Sequence, residues 1–230
     1  LKNENEVVTS AFKNGLIGEL FPVSVVNLSV VNPSILRINT AGVPVDWLTW
    51  QEAVCLHARE LVSWTYGEEV MEVRGGHCRL NGERTLLTLN SIIACKGKVY
   101  DKMRKEPPLT NRALFRRDQN VCLYCGKVFK ECDLSRDHVL PASRGGQDSW
   151  TNVVTACKRC NARKGNYLLD ECTMELLALP YRPNHAEYLA LTHSGRILGD
   201  QMSFLRRQFS SNSRLLEDGP LRLSRKPPVY

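Results

Sequence analysis

The sequence predicts an α+β protein: a small N-terminal domain of strands with one helix, then a cysteine-bearing domain of mixed elements, then a basic helical C-terminal region. Three observations predict it. β-branched runs flank a single capped helix in the first half, two Cys-x-x-Cys pairs punctuate the second, and apolar stripes at helical spacing follow residue 180. A length of 230 residues accommodates one domain or two modest ones. With 43% hydrophobic and 24% charged residues the composition is that of a globular chain.

Residues 1–20 are polar and irregular and read as a loose arm. Residues 24–31 and 35–39 read as strands, with Asn32-Pro33 as the turn between them. Thr49 and Glu52 form a capping-box signature, in which hydroxyl and carboxylate satisfy free amide donors at a helix start. Ala53, Val54, Leu56, His57 and Leu61 then make one apolar stripe. Residues 70–73 and 85–94 are expected strands, with Gly75-Gly76 and Asn81-Gly82 as turns. Pro107-Pro108 marks a boundary. Beyond it, residues 111–117 read as a short helix and 134–139 as a strand stopped by Pro141. Arg144 to Gln147 reads as a loop, Asn152 opens another element, and residues 160–164 are helical and ended by Gly165. Further helices are expected over 170–179, from Asn184 (with Glu187 three residues on), and from about Arg196, carrying Leu198, Met202, Leu205 and Phe209. The predicted organisation is an arm (1–20), an αβ domain (21–108), a second domain (109–179) and a helical C-terminal region (180–230).

The formal charge is +7. Residues 1–110 are balanced, so the whole excess lies in residues 111–230, which points to a polyanionic partner held by that region. No apolar run approaches the ~18 residues of a membrane helix. The first residues lack the basic and apolar regions of a secretory signal. The expected setting is the cytoplasm, without a membrane partner.

There are nine cysteines. An odd count without a secretory signal argues against a disulfide framework. Two pairs share one spacing, Cys122 with Cys125 and Cys157 with Cys160. Paired C-x-x-C units supply four thiolates tetrahedrally to zinc, and Gly126 permits the tight turn of the first knuckle. No thioredoxin-like pattern surrounds either pair, which argues against a redox dithiol. The expected cofactor is a structural Zn²⁺, with a folded segment between the knuckles.

That segment contains Asp137-His138, Pro141, Ser143-Arg144-Gly145-Gly146 and Trp150-Thr151-Asn152, and Asn161 directly follows Cys160. The string from Leu114 to Asn166 resembles the HNH endonuclease family, in its cysteine-bearing subgroup with a ββα-metal core. The last His of the family name is Asn161 here, an HNN variant. The resemblance implies that His138 is the general base and that Asp137 and Asn161 bind a catalytic Mg²⁺ or Mn²⁺. It further implies that Asn152 orients the loop and the imidazole, and that the substrate is DNA. The chemistry suits the residues: a neutral His is a natural base near neutral pH, and hard oxygen ligands suit Mg²⁺ or Mn²⁺ where thiolates suit zinc. Neighbours in a strand point to opposite faces, so Asp137 and His138 share a site only where the strand twists or ends. Arg116, Arg117, Arg136, Arg144, Lys158, Arg159, Arg163 and Lys164 are candidate phosphate contacts. The competing readings are a zinc-dependent DNA-binding module without catalysis and an RNA-directed nuclease. Oligomeric state has no signature in the sequence.

Overall fold

The computed structural model describes residues 24–26 (backbone only), 32–77, 79–80, 82–97, 106–211 and 213–216. The expected arm, residues 1–20, lies outside these. Contacts divide the chain into two compact units, residues 1–104 with 195–204, and residues 105–194 with 205–230. The stretch read from sequence as one C-terminal region is thus shared: 195–204 fold with the first unit and 180–194 with the second. Among the described residues no helix is long and apolar enough to cross a membrane.

The first unit is a five-stranded sheet in the order β1-β4-β5-β2-β3. Its strands are β1 (Ser24–Val26), β2 (Ile35–Asn39), β3 (Pro44–Leu48), β4 (Val62–His77) and β5 (Arg84–Cys95). Only β2 and β5 run parallel. Helix α1 (Trp50–Ala58) starts at Thr49, and both halves of the capping box form. Leu89, Ile93 and Cys95 alternate along β5 and pack with Ile35, Leu48, Ala53 and Met71 as the core. Two elements differ from expectation. β3 carries Pro44 and Asp46, which hide it from a β-propensity reading. Pro44 opens an edge strand, where a missing N–H is harmless, and Asp46 pairs with Arg37 across the ladder at 2.5–2.7 Å. Gly75-Gly76 is not a turn: both residues lie inside β4, which stays paired with β5 as far as His77 and Arg84. Residues 195–204 lock onto this sheet through Gln201, whose amide donates to the carbonyls of Ser34 and Ser91, each at 2.8 Å.

The second unit is built on α2 (Asn111–Arg117), the antiparallel pair β6 (Leu134–His138) and β7 (Val153–Cys157), and α3 (Lys158–Lys164), followed by α4 (Leu169–Cys172) and α5 (His185–His193). The helix α6 (Gly199–Arg206), most of which lies in the segment that folds with the first unit, is shorter than the expected stripe from Leu198 to Phe209. The helix expected over 170–179 is also cut short. Thr173 turns into a left-handed conformation (φ 53°), and Leu177 donates its amide to Leu123 in the first knuckle at 2.9 Å. α5 starts at its predicted capping box, Asn184 with Glu187.

The core of this unit joins Leu114, Phe115, Leu134, Trp150 and Val153. Beside it Arg117 is wholly buried and all five of its N–H groups are used. Two go to Asp118 (2.9 and 3.0 Å), and one each to the carbonyls of Trp150 (2.8 Å), Tyr181 (2.9 Å) and Val153 (2.9 Å). Asp118 also accepts from Thr155 N and from Arg214, each at 2.9 Å. The guanidinium lies 5.6 Å from the ring centres of Trp150 and Tyr181. Arg117 is therefore an internal clamp and not the phosphate contact that its position in a basic segment suggests. A buried ion pair broken on one side costs about 3–5 kcal/mol. Asp118→Ala, which strands Arg117 and Arg214, is expected to lower the stability of this unit by at least that range in denaturant unfolding, whereas exposed Lys158→Ala should leave it unchanged.

Candidate active site and metal centre

The knuckle cysteines meet. The Sγ atoms of Cys122, Cys125, Cys157 and Cys160 all lie within 4.8 Å of one another. Four sulfurs bound to one zinc are about 3.8 Å apart, from Zn–S bonds of ~2.3 Å in a tetrahedron, so the cluster fits such an ion with little movement. The first knuckle closes through Cys122 N to Lys127 O and Gly126 N to Cys122 O, both 2.9 Å, with Gly126 at φ 72°. In the second, Cys157 is the N-cap of α3, and its sulfur accepts from Cys160 N at 3.4 Å. Burial first, and the neighbouring thiols after it, push Cys125 and Cys160 above their ordinary value. Burial acts the same way on Cys122, but amides of Cys157, Cys125 and Tyr124 outweigh it and bring that thiol down. A cation among the four favours the thiolate at every position.

The second part of the site is the end of the β6–β7 pair. A cleft of about 330 Å³ is lined by residues that include Arg136, Asp137, His138, Pro141, Ser143 and Asn161. His138 is the last residue of β6, so the strand ends where the sequence requires it to. The Asp137 carboxylate is buried. One oxygen accepts from the Tyr124 hydroxyl and the other lies 3.3 Å from Lys164 Nζ. Burial, then the bond to Asp137, push the Tyr124 phenol far up and keep it protonated. Lys164 is wholly buried and also donates to His138 O at 2.7 Å. This corrects the expectation that Lys164 meets phosphate: its ammonium is consumed inside the site.

On α3, Asn161 donates through Nδ2 to Ser135 Oγ (2.8 Å) and Arg136 O (3.2 Å). Asn152 organises the intervening loop. Its Oδ1 accepts from Leu140 N (2.9 Å), and its Nδ2 donates to Leu140 O (3.1 Å) and Gln147 O (2.9 Å). Gly146 is required here, since a Cβ would stand 1.7 Å from Leu140 O. Asp148, which sequence reasoning passed over, bridges Arg136 (2.5 Å) and His138 Nε2 (3.0 Å). Slight burial raises its pKa, but Arg136 and then His138 outweigh this and hold the carboxyl below its usual range. A lone acid after two glycines carries no pattern of its own, and Tyr124 was legible only as a residue between two cysteines. Arg144 pairs with Glu171 at 2.8 Å, while Lys158, Arg159 and Arg163 are exposed on α3.

Asp137, His138 and Asn161 thus line one cleft formed by a strand pair and the helix packed on it, with a four-cysteine cluster alongside. That combination is a ββα arrangement, a strand pair followed by one helix, with a four-thiol cluster at its edge. Residues 122–177 match the family of HNH endonucleases, and the four cysteines fit a zinc-bound variant of that family. None of the curated proteins compared with the chain matches it.

The cluster generates a metal prediction. Elemental analysis of purified protein is expected to find about one zinc per chain, the number four thiolates hold. Cys125→Ser and Cys160→Ser are expected to lose both the ion and the folded state of this unit, because structural zinc carries folding free energy. A folded, soluble preparation without zinc contradicts this assignment.

Proposed function

We propose that this domain hydrolyses DNA phosphodiester bonds, with His138 as general base, one Mg²⁺ or Mn²⁺ held by Asp137 and Asn161, and a separate structural Zn²⁺ on Cys122, Cys125, Cys157 and Cys160. The observation that carries the reading is the convergence of Asp137, His138 and Asn161 on one cleft. Each carboxylate oxygen has room for more than one partner, so Asp137 can serve a cation while it keeps Tyr124 and Lys164. The donor set is all oxygen, which suits a hard ion. When bound, the ion supplies charge relief to the phosphoryl oxygen and the departing 3′ oxygen.

His138 takes a proton from water, whose oxygen then bonds to phosphorus as the bond to the 3′ oxygen breaks. The products are a 5′-phosphate and a 3′-hydroxyl. Asn152 holds the loop that follows His138 and so limits the imidazole's freedom. Lys158, Arg159 and Arg163 offer exposed positive charge for the DNA backbone, in keeping with the charge excess of residues 111–230.

The test is cleavage of supercoiled plasmid with Mg²⁺ or Mn²⁺. His138→Ala is expected to retain zinc and DNA binding while cleavage falls by ~10²–10⁴-fold, the range for a lost acid–base group. Asn161→Ala is the cleaner variant on the cation side, because Asp137→Ala also strands the buried Lys164 ammonium. Its cleavage should recover as Mn²⁺ is raised, since a weakened oxygen site refills by mass action. Equal cleavage by wild type and His138→Ala would overturn the role of His138. Binding without cleavage under either ion would favour a DNA-binding module.

A further inference from the structure

Asp148 lies on the loop between β6 and β7, and its carboxylate spans two residues of β6. Oδ2 receives Arg136 Nη1, and Oδ1 lies 3.0 Å from His138 Nε2. Arg136 is itself fixed from behind, donating through Nε to Asn111 Oδ1 at 2.9 Å and through Nη2 to Leu109 O at 3.3 Å. The imidazole is thus tied through two side chains to the start of α2. His138 lines the cleft, whereas Asp148 is not among its lining residues. An ionised carboxylate only accepts hydrogen bonds, so the ring nitrogen facing it carries the hydrogen. The other ring nitrogen then holds the lone pair.

We infer that Asp148 is a positioning residue that fixes His138 in the Nε2–H tautomer and leaves Nδ1 to take the proton from the attacking water, an inference that rests on the nuclease reading above. The proton passes from water to Nδ1, the water oxygen bonds to phosphorus, and the electron pair of the broken P–O bond goes to the 3′ oxygen, which takes a proton from solvent. Asp148 faces the imidazolium that results and offsets its charge. A carboxylate bonded to one ring nitrogen of a histidine sets ring orientation and proton position in this way and leaves the other nitrogen to act as the base.

Nitrogen-15 NMR of the wild-type imidazole, assigned against His138→Gln, reads the tautomer without any variant at Asp148. It is expected to show the hydrogen on Nε2. Plasmid cleavage with Mg²⁺ then compares wild type, Asp148→Asn and Asp148→Glu at equal zinc content. Asp148→Asn should lower kcat by about 10²-fold, the scale of a catalytic group displaced by roughly 1 Å, with KM unchanged, and Asp148→Glu should recover part of the loss. A hydrogen on Nδ1 in the wild type, or wild-type kcat in Asp148→Asn, overturns the inference. A wild type that cuts no DNA contradicts the nuclease reading instead, and the tautomer spectrum still decides the role of Asp148.

Discussion

Cys157 closes β7, caps α3 and contributes one of the four clustered thiols. Because the helix must start at Lys158, the register of everything after it is set. Asn161 and Lys164, three apart, share a helix face, and that face lies on β6. Asn161 reaches Ser135 and the Arg136 carbonyl, while Lys164 reaches Asp137 and the His138 carbonyl. A one-residue shift in the helix start would rotate both away from the strand end. The thiol cluster thereby acts on the cleft without touching it.

The second unit divides its positive charge between interior and surface. Arg117 and Lys164 have no exposed surface, and each is matched by a neighbouring carboxylate, Asp118 or Asp137. Such pairs add little net stability over apolar packing, but they are costly to break on one side. Arg117 ties α2 to the carbonyls at Trp150 and Val153, and Lys164 ties α3 to the end of β6. The cations left outside, Lys158, Arg159 and Arg163, lie on the same helix that holds Asn161. One short helix therefore carries the second cysteine knuckle, an oxygen donor, a buried clamp and a basic outer surface.

Much of this was legible in the sequence because its signals are local. The capping boxes at Thr49 and Asn184, the helix over 111–117 and the end of α3 at Gly165 depend on residues within one turn of each other. The C-x-x-C spacing likewise foretold the meeting of four cysteines, although 31 residues separate the pairs. What the sequence hid depends on long-range packing. β3 is held by its ladder with β2 and by the buried Val45 and Leu48, with Asp46 facing Arg37. β4 runs on through Gly75 and Gly76 because it stays paired with β5. The helix after Asp170 stops because Leu177 bonds back to Leu123. In the site, charge type did not reveal whether a base was inside or outside: Lys164 and Arg163 are adjacent, and one is buried while the other is exposed. Asp148 was invisible for the same reason, since its two partners are reached only once the loop has folded back on β6.

The proposed function gives one domain two metals for separate purposes, thiolate-bound zinc for the fold and an oxygen-bound cation for cutting. The most direct measurement is mild chelation of the purified protein, with zinc content, thermal unfolding and plasmid cleavage followed on the same sample. Cleavage is expected to disappear while zinc and the unfolding transition stay, and Mg²⁺ alone is expected to restore it. Full cleavage by zinc-loaded protein free of Mg²⁺ and Mn²⁺, or cleavage lost only in step with zinc, would contradict that division of roles.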